Sequence, residues 1–174
     1  YNLVNNPYQK FGPWKYYTNY VPMPFGCFKA KSPSPVPCIV ALMSQGMFVN
    51  YGTYWSMADT IRFQLRQASS PFAIVDSAKS VISGSHIMYD ILFNNAINGN
   101  YYLVVKHRNS IETWSNTGIS YTRGISVYKN FLIPGASYGD NMVQVIPTQS
   151  WRGIYSGDVN QNGVIDLTDV LQTY

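Results

Sequence analysis

Thr60-Ile61-Arg62-Phe63-Gln64-Leu65-Arg66 alternates apolar and polar residues without a break. Successive side chains of a β-strand point to opposite faces, so Ile61, Phe63 and Leu65 are predicted to face a core and Arg62, Gln64 and Arg66 to face water. The following Ala68-Ser69-Ser70-Pro71 is a turn, leading to extended chain over 72–75 and 77–82. Outward from there the same texture continues. Strands are predicted at 39–49, 86–93, 101–107 (after an Asn98-Gly99-Asn100 turn), 111–114, 125–131 and 142–146. Turn signals recur roughly every 8–12 residues, and no helical period appears before Leu167. The expected fold is mainly β, an antiparallel β-sandwich.

Residues 1–38 have a different composition. Pro7, Pro13, Pro22, Pro24, Pro33, Pro35 and Pro37 are interleaved with Trp14, Tyr16, Tyr17, Tyr20, Phe25 and Phe28. Proline at this density excludes helix and central strand, so an extended arm is expected, with 31–37 (KSPSPVP) a stiff linker. So many aromatics favour packing against the arm's own domain or a neighbouring copy. Cys27 and Cys38 flank the Pro-rich segment. They form either a disulfide, in an oxidising compartment, or two buried free thiols.

The tail, Asp158-Val159-Asn160-Gln161-Asn162-Gly163-Val164-Ile165-Asp166-Leu167-Thr168-Asp169, reads as a twelve-residue calcium loop. Ca²⁺ takes roughly six to eight oxygen ligands. Asp158, Asn160, Asn162, Asp166 and Asp169 supply side-chain oxygens at alternating or closing positions, Val164 offers its backbone carbonyl, and Gly163 permits the sharp turn. Three of the chain's 8 acidic residues sit in this loop, a self-repelling arrangement unless a cation is present. Position 8, Ile165, is apolar, and Leu167, Val170, Leu171 and Tyr174 mark one face of a short exiting helix. Position 12 is Asp rather than the Glu of a common EF-hand, and no amphipathic helix precedes the loop.

Both departures resemble the half-EF-hand of dockerin type I repeats. More broadly, SSPFAIVDSAKS (69–80), NGNYYLVVKHRNSIETWS (98–115), YGDNMVQV (138–145) and IYSGDVNQNGVIDLTDVLQTY (154–174) resemble, in this order, the dockerin-repeat-bearing C-terminal modules of secreted bacterial surface proteins of the Bacteroidetes/Ignavibacteria kind. The resemblance covers about residues 40–174. It implies a transthyretin-like (Ig-like) or carboxypeptidase-regulatory-like sandwich at 39–150 and a calcium-loop segment at 151–174, after the 1–38 arm. In such families the loops come in pairs. The single loop here implies either a trimmed chain or completion by packing on the sandwich or on another subunit.

Charged residues make up only 11% of the chain, against roughly 25% in ordinary domains. Such a surface permits close self-association. The net charge of +4 is scattered along the chain, which gives no footing to a nucleic-acid role. No apolar run approaches the about 18 residues of a membrane span. HExxH, GxSxG, CxxC and Gly-rich phosphate loops are missing. His86 and His107 are read as strand-edge or surface residues, and Asp59 and Asp76 as stabilisers of strand-end turns. Lys106-His107-Arg108 with Glu112 and Trp114 forms either a small polar site or, more simply, a strand end with charged outward side chains and Trp114 in the core. The expectation is therefore not an enzyme but a secreted, calcium-binding structural module of a bacterial cell surface or extracellular assembly, a homo-oligomer or polymer through its arm. The rival expectation is an accessory module that binds polysaccharide or a surface scaffold protein for a larger secreted enzyme.

Overall fold

The computed structural model describes residues 33–48, 58–82 and 87–173. Most of the expected arm, with Cys27 and Trp14, lies outside them, as do Trp55, His86 and Tyr174. The described chain is mainly β. Its largest sheet joins β2 (Asp59–Gln67), β3 (Ile74–Ile82), β5 (Gly99–His107), β6 (Ser110–Trp114) and β7 (Ile119–Tyr121). The order is β3-β2-β5-β6, and β7 pairs with the start of β5 beyond the end of β6. All of these pairings are antiparallel.

A second sheet has the order β4-β1-β8, formed by β1 (Cys38–Ala41), β4 (Met88–Ile91) and β8 (Val127–Asn130). Here the expectation of an all-antiparallel arrangement is corrected, because β1 and β8 run parallel. Parallel neighbours cannot be joined by a tight turn. The chain between β1 and β8 instead builds the whole five-stranded sheet before it returns. The expected 39–49 strand is likewise shorter than read. The Leu42 amide still bonds to Ile87, just before β4, and from Met43 the chain changes partners: Met43 and Gln45 bond to Ile154, before a 3₁₀ turn at Gln45–Met47. Its run of buried apolar residues lacks alternation, so its sequence could not show where the strand stops.

One core lies between the two sheets. Ile61, Phe63 and Leu65 from β2 and Leu103 and Val105 from β5 meet Val40 from β1 and Tyr89 and Ile91 from β4. The rings of Phe63 and Tyr89 are 6.3 Å apart, and Phe93 meets Tyr121 edge-on at 6.3 Å. Tyr121 satisfies its hydroxyl on the Phe93 carbonyl, which lets a phenol sit in the core without an orphaned donor. Cys38 is a buried free thiol whose pKa burial pushes up to about 11.

Two short strands, β9 (Val143–Gln144) and β10 (Arg152–Gly153), pair as a hairpin. Ile154 continues from β10 into the core, held by Met43 and Gln45 on either side. The run to Ser156 is thus tied into the body and delivers the tail to a fixed point: the Gly157 amide bonds to the Asn109 carbonyl. At the other end, residues 33–37 lie along 123–126, with Arg123 donating to the Pro33 carbonyl and Ser126 to that of Pro37.

Candidate metal centre

The loop begins directly after that anchor. Asp158 Oδ1 accepts from the Asn162 amide at 3.0 Å and Oδ2 from Gly163 at 3.0 Å. Asn160 and Asn162 repeat the turn, each side-chain oxygen accepting the amide two residues on, at 2.9 and 2.8 Å. Short polar side chains folding the backbone onto themselves are what Asx turns provide. Gly163, at φ +86°, takes the left-handed conformation that the tight turn needs. Gln161 adopts it too, at φ +60°.

Asp169 closes the loop from the far side. Its Oδ1 accepts from Val159 and Asn160, and its Oδ2 from Asp166. The amide of Asp166 holds this carboxyl below its ordinary range, and those of Asn160 and Val159 add to it against the opposing effect of burial. Asp166 reciprocates by capping α1 (Leu167–Gln172) through the Thr168 amide, a capping box. The expected ligands at the two ends of the loop are therefore linked through its backbone. Ile165 lies over Gly157 but, like Leu167, Val170 and Leu171 of the helix stripe, stands exposed.

Asp158 is 1% and Asp169 3% exposed, and no Lys, Arg or His side chain pairs with either among the described residues. Nor, among those residues, do three His, Cys, Asp or Glu side chains converge as a ligand set. The donor set of this loop is of another kind, carboxylates mixed with amide and backbone carbonyl oxygens. The two Asp158 oxygens, Asp169 Oδ2 and the side-chain oxygens of Asn160 and Asn162 each accept one amide and keep a second lone pair, which fits a hard cation, whereas Asp169 Oδ1 accepts two amides.

Gln161, to which the sequence reading gave no role, ties the loop to the sheet. Its Nε2 donates to the Asp158 carbonyl at 2.7 Å and to that of Ser110 at 3.3 Å. No spacing rule marks it.

A second polar cluster lies beside the loop. His107, expected at a strand edge or the surface, ends the inner strand β5 and is buried, with Nε2 3.2 Å from Asp59 Oδ2. Its Nδ1 accepts from the Asn109 amide and lies 3.3 Å from Ser110 Oγ. An accepting Nδ1 places the proton of the neutral ring on Nε2, towards Asp59, although out of line for a hydrogen bond. Burial, with the Arg108 charge added to it, lowers the pKa of His107 against the opposing effect of Asp59. For Asp59, burial acts upward, but hydrogen bonds from Arg108 and Thr60, with His107, bring the carboxyl below its usual range. The order Ser110, His107, Asp59 resembles a nucleophile with its base. Ser110, however, is 0% exposed and is shut in against Ser156 Oγ at 3.4 Å, so no substrate reaches it.

On the outer face of the large sheet, Glu112 accepts from Lys106 at 2.6 Å and from Trp114 Nε1 at 2.7 Å. Arg66 lies over the Trp114 ring at 5.0 Å, and Phe72 and Tyr102 meet the same ring at its sides. The residues expected as either a polar site or a charged strand end thus divide: Lys106, Glu112 and Trp114 share one network, His107 turns inward and Arg108 joins Asp59.

Comparisons with models of known families, with curated protein sequences and with solved structures find no match to this chain. The dockerin-like reading of the tail rests on its residues.

Proposed function

We propose that this chain is a secreted, non-catalytic structural module of a cell-surface or extracellular assembly, its C-terminal loop fixed by calcium. The residues to hold the ion are Asp158, Asn160, Asn162, Val164 through its carbonyl, Asp166 and Asp169. The observation that carries the reading is the pair of buried carboxylates, Asp158 and Asp169, closing one loop with no cationic side chain against them among the described residues. Buried charges are paired or coordinate metals. Calcium would supply the missing positive charge and couple loop closure to binding.

The chain's own residues prepare the site. Amides of residues 159, 160, 162, 163 and 166 orient the two carboxylates. Gln161 fastens the loop to β6, and Gly157 to the turn before it. Low charge density, at 11%, and the Pro/aromatic composition of residues 1–38 support assembly through the arm.

The test is light scattering and titration calorimetry with calcium and then with excess chelator, on the wild type and on Asp158→Asn/Asp169→Asn. We expect a calcium heat that the variant lacks, and assemblies that dissociate on chelation. At hundredfold excess over Kd, calcium should stabilise the wild-type loop by about 2.7 kcal/mol. No heat at millimolar calcium would sink the metal centre, and a strict monomer at high concentration with calcium would sink the assembly.

A further inference from the structure

The outer face of the large sheet carries three cations in one row. Arg62 on β2 sits directly opposite Lys79 on β3 and opposite Lys106 on β5. Neighbouring strands are about 4.8 Å apart, and like charges placed directly opposite destabilise a sheet. Folding therefore gains nothing from this row. Lys106 is neutralised by Glu112 at 2.6 Å, and Arg108, nearby, by Asp59 at 2.7 Å. Arg62 and Lys79 have no ion-pair or hydrogen-bond partner among the described residues.

All four cations line a single cleft of ≈ 270 Å³, together with Thr60 and Gln161 and with Asp59 and His107. We propose that this cleft binds the carboxylate or sulfate group of an acidic saccharide. Arg62 offers a planar fork matched to two oxygens of such a group, and Lys79 adds a point charge. Thr60 and Gln161 then meet the sugar hydroxyls, the Gln161 Oε1 having no donor among the described residues. A nucleic acid fits less well. Its phosphates call for cations continuing along a track, and the net charge is only +4 with the free cations confined to one row. The two free cations, Arg62 and Lys79, lie outside the calcium loop, and Gln161 belongs to both sites.

The experiment measures binding to polygalacturonate oligomers and to heparin, with neutral dextran and oligothymidylate as comparators, for wild type, Arg62→Gln/Lys79→Gln and Glu112→Gln. At least one acidic saccharide should bind, more weakly as salt rises. Carboxylate and sulfate recognition are separated by which of the two it is. The double variant should lose at least about tenfold in affinity, the scale of hydrogen bonds to charged groups. Its melting temperature should hold or rise, because repulsion is removed. Glu112→Gln, which frees Lys106, should bind more tightly. The proposal is overturned if neither saccharide binds, if dextran or oligothymidylate binds as well, or if the double variant stays within about twofold of wild type.

Discussion

At the scale of single residues, Asp76 and His107 are buried polar groups whose partners bear on stability. Asp76 was read as a stabiliser of a strand-end turn. It lies within β3, and its buried carboxylate accepts from the amides of Ser77, Asn95 and Ala96, which pins the loop after β4. Asp76→Ala strands these donors and should cost about 3 kcal/mol, read from the urea midpoint. A loss under about 1 kcal/mol would show that the loop holds without it. His107 has a folded pKa below the ordinary value of about 6.5. The unfolded chain therefore takes up the proton first. Stability is full above about pH 6.5, falls as pH drops towards the folded pKa, and loses no more below it. Unfolding followed from about pH 8 to pH 5 should show this step, and His107→Gln should remove it. Asp59, the carboxyl facing the ring, is held below its usual range and so titrates below that window.

Among elements, the junction of β10 with the Met43–Gln45 segment holds the tail in place. Gly153 is there because no side chain fits: a Cβ would lie 2.6 Å from Val145 Cγ1 and 3.3 Å from the Met43 carbonyl. Gly153→Ala should destabilise the fold by about 1–3 kcal/mol, seen as a lowered melting temperature. An unchanged melting temperature would mean that the hairpin gives way easily. The loop proposed to bind calcium follows this junction, and its order of Asp, Asn, Asn and Gly was legible because each residue acts on its near neighbours. The burial of α1 was not. Its stripe of Leu167, Val170 and Leu171 has helical spacing, yet it stands exposed, since periodicity names a face without supplying what covers it.

For the whole molecule, only 11% of residues are charged, and among the described residues part of that charge gathers in two places. The tail gathers carboxylates and the outer sheet face gathers cations, and Gln161 lies at both. A low overall charge leaves little repulsion between copies, the physical basis of the assembly proposed above.

By itself the sequence determined what is local. Ile61, Phe63 and Leu65 face the core as alternation required, whereas His107, expected at a strand edge or the surface, shares the buried parity of Leu103 and Val105. Gln64 breaks the pattern, buried on the outer face where it accepts both Nε and Nη2 of Arg66. Only the tertiary structure decided the parallel pairing of β1 with β8, the meeting of Asp59 with His107, and the alignment of Lys79, Arg62 and Lys106. Each of these depends on which strands become neighbours and in what register. A strand's own residues set its two faces, whereas its neighbours are chosen by the packing of the whole core.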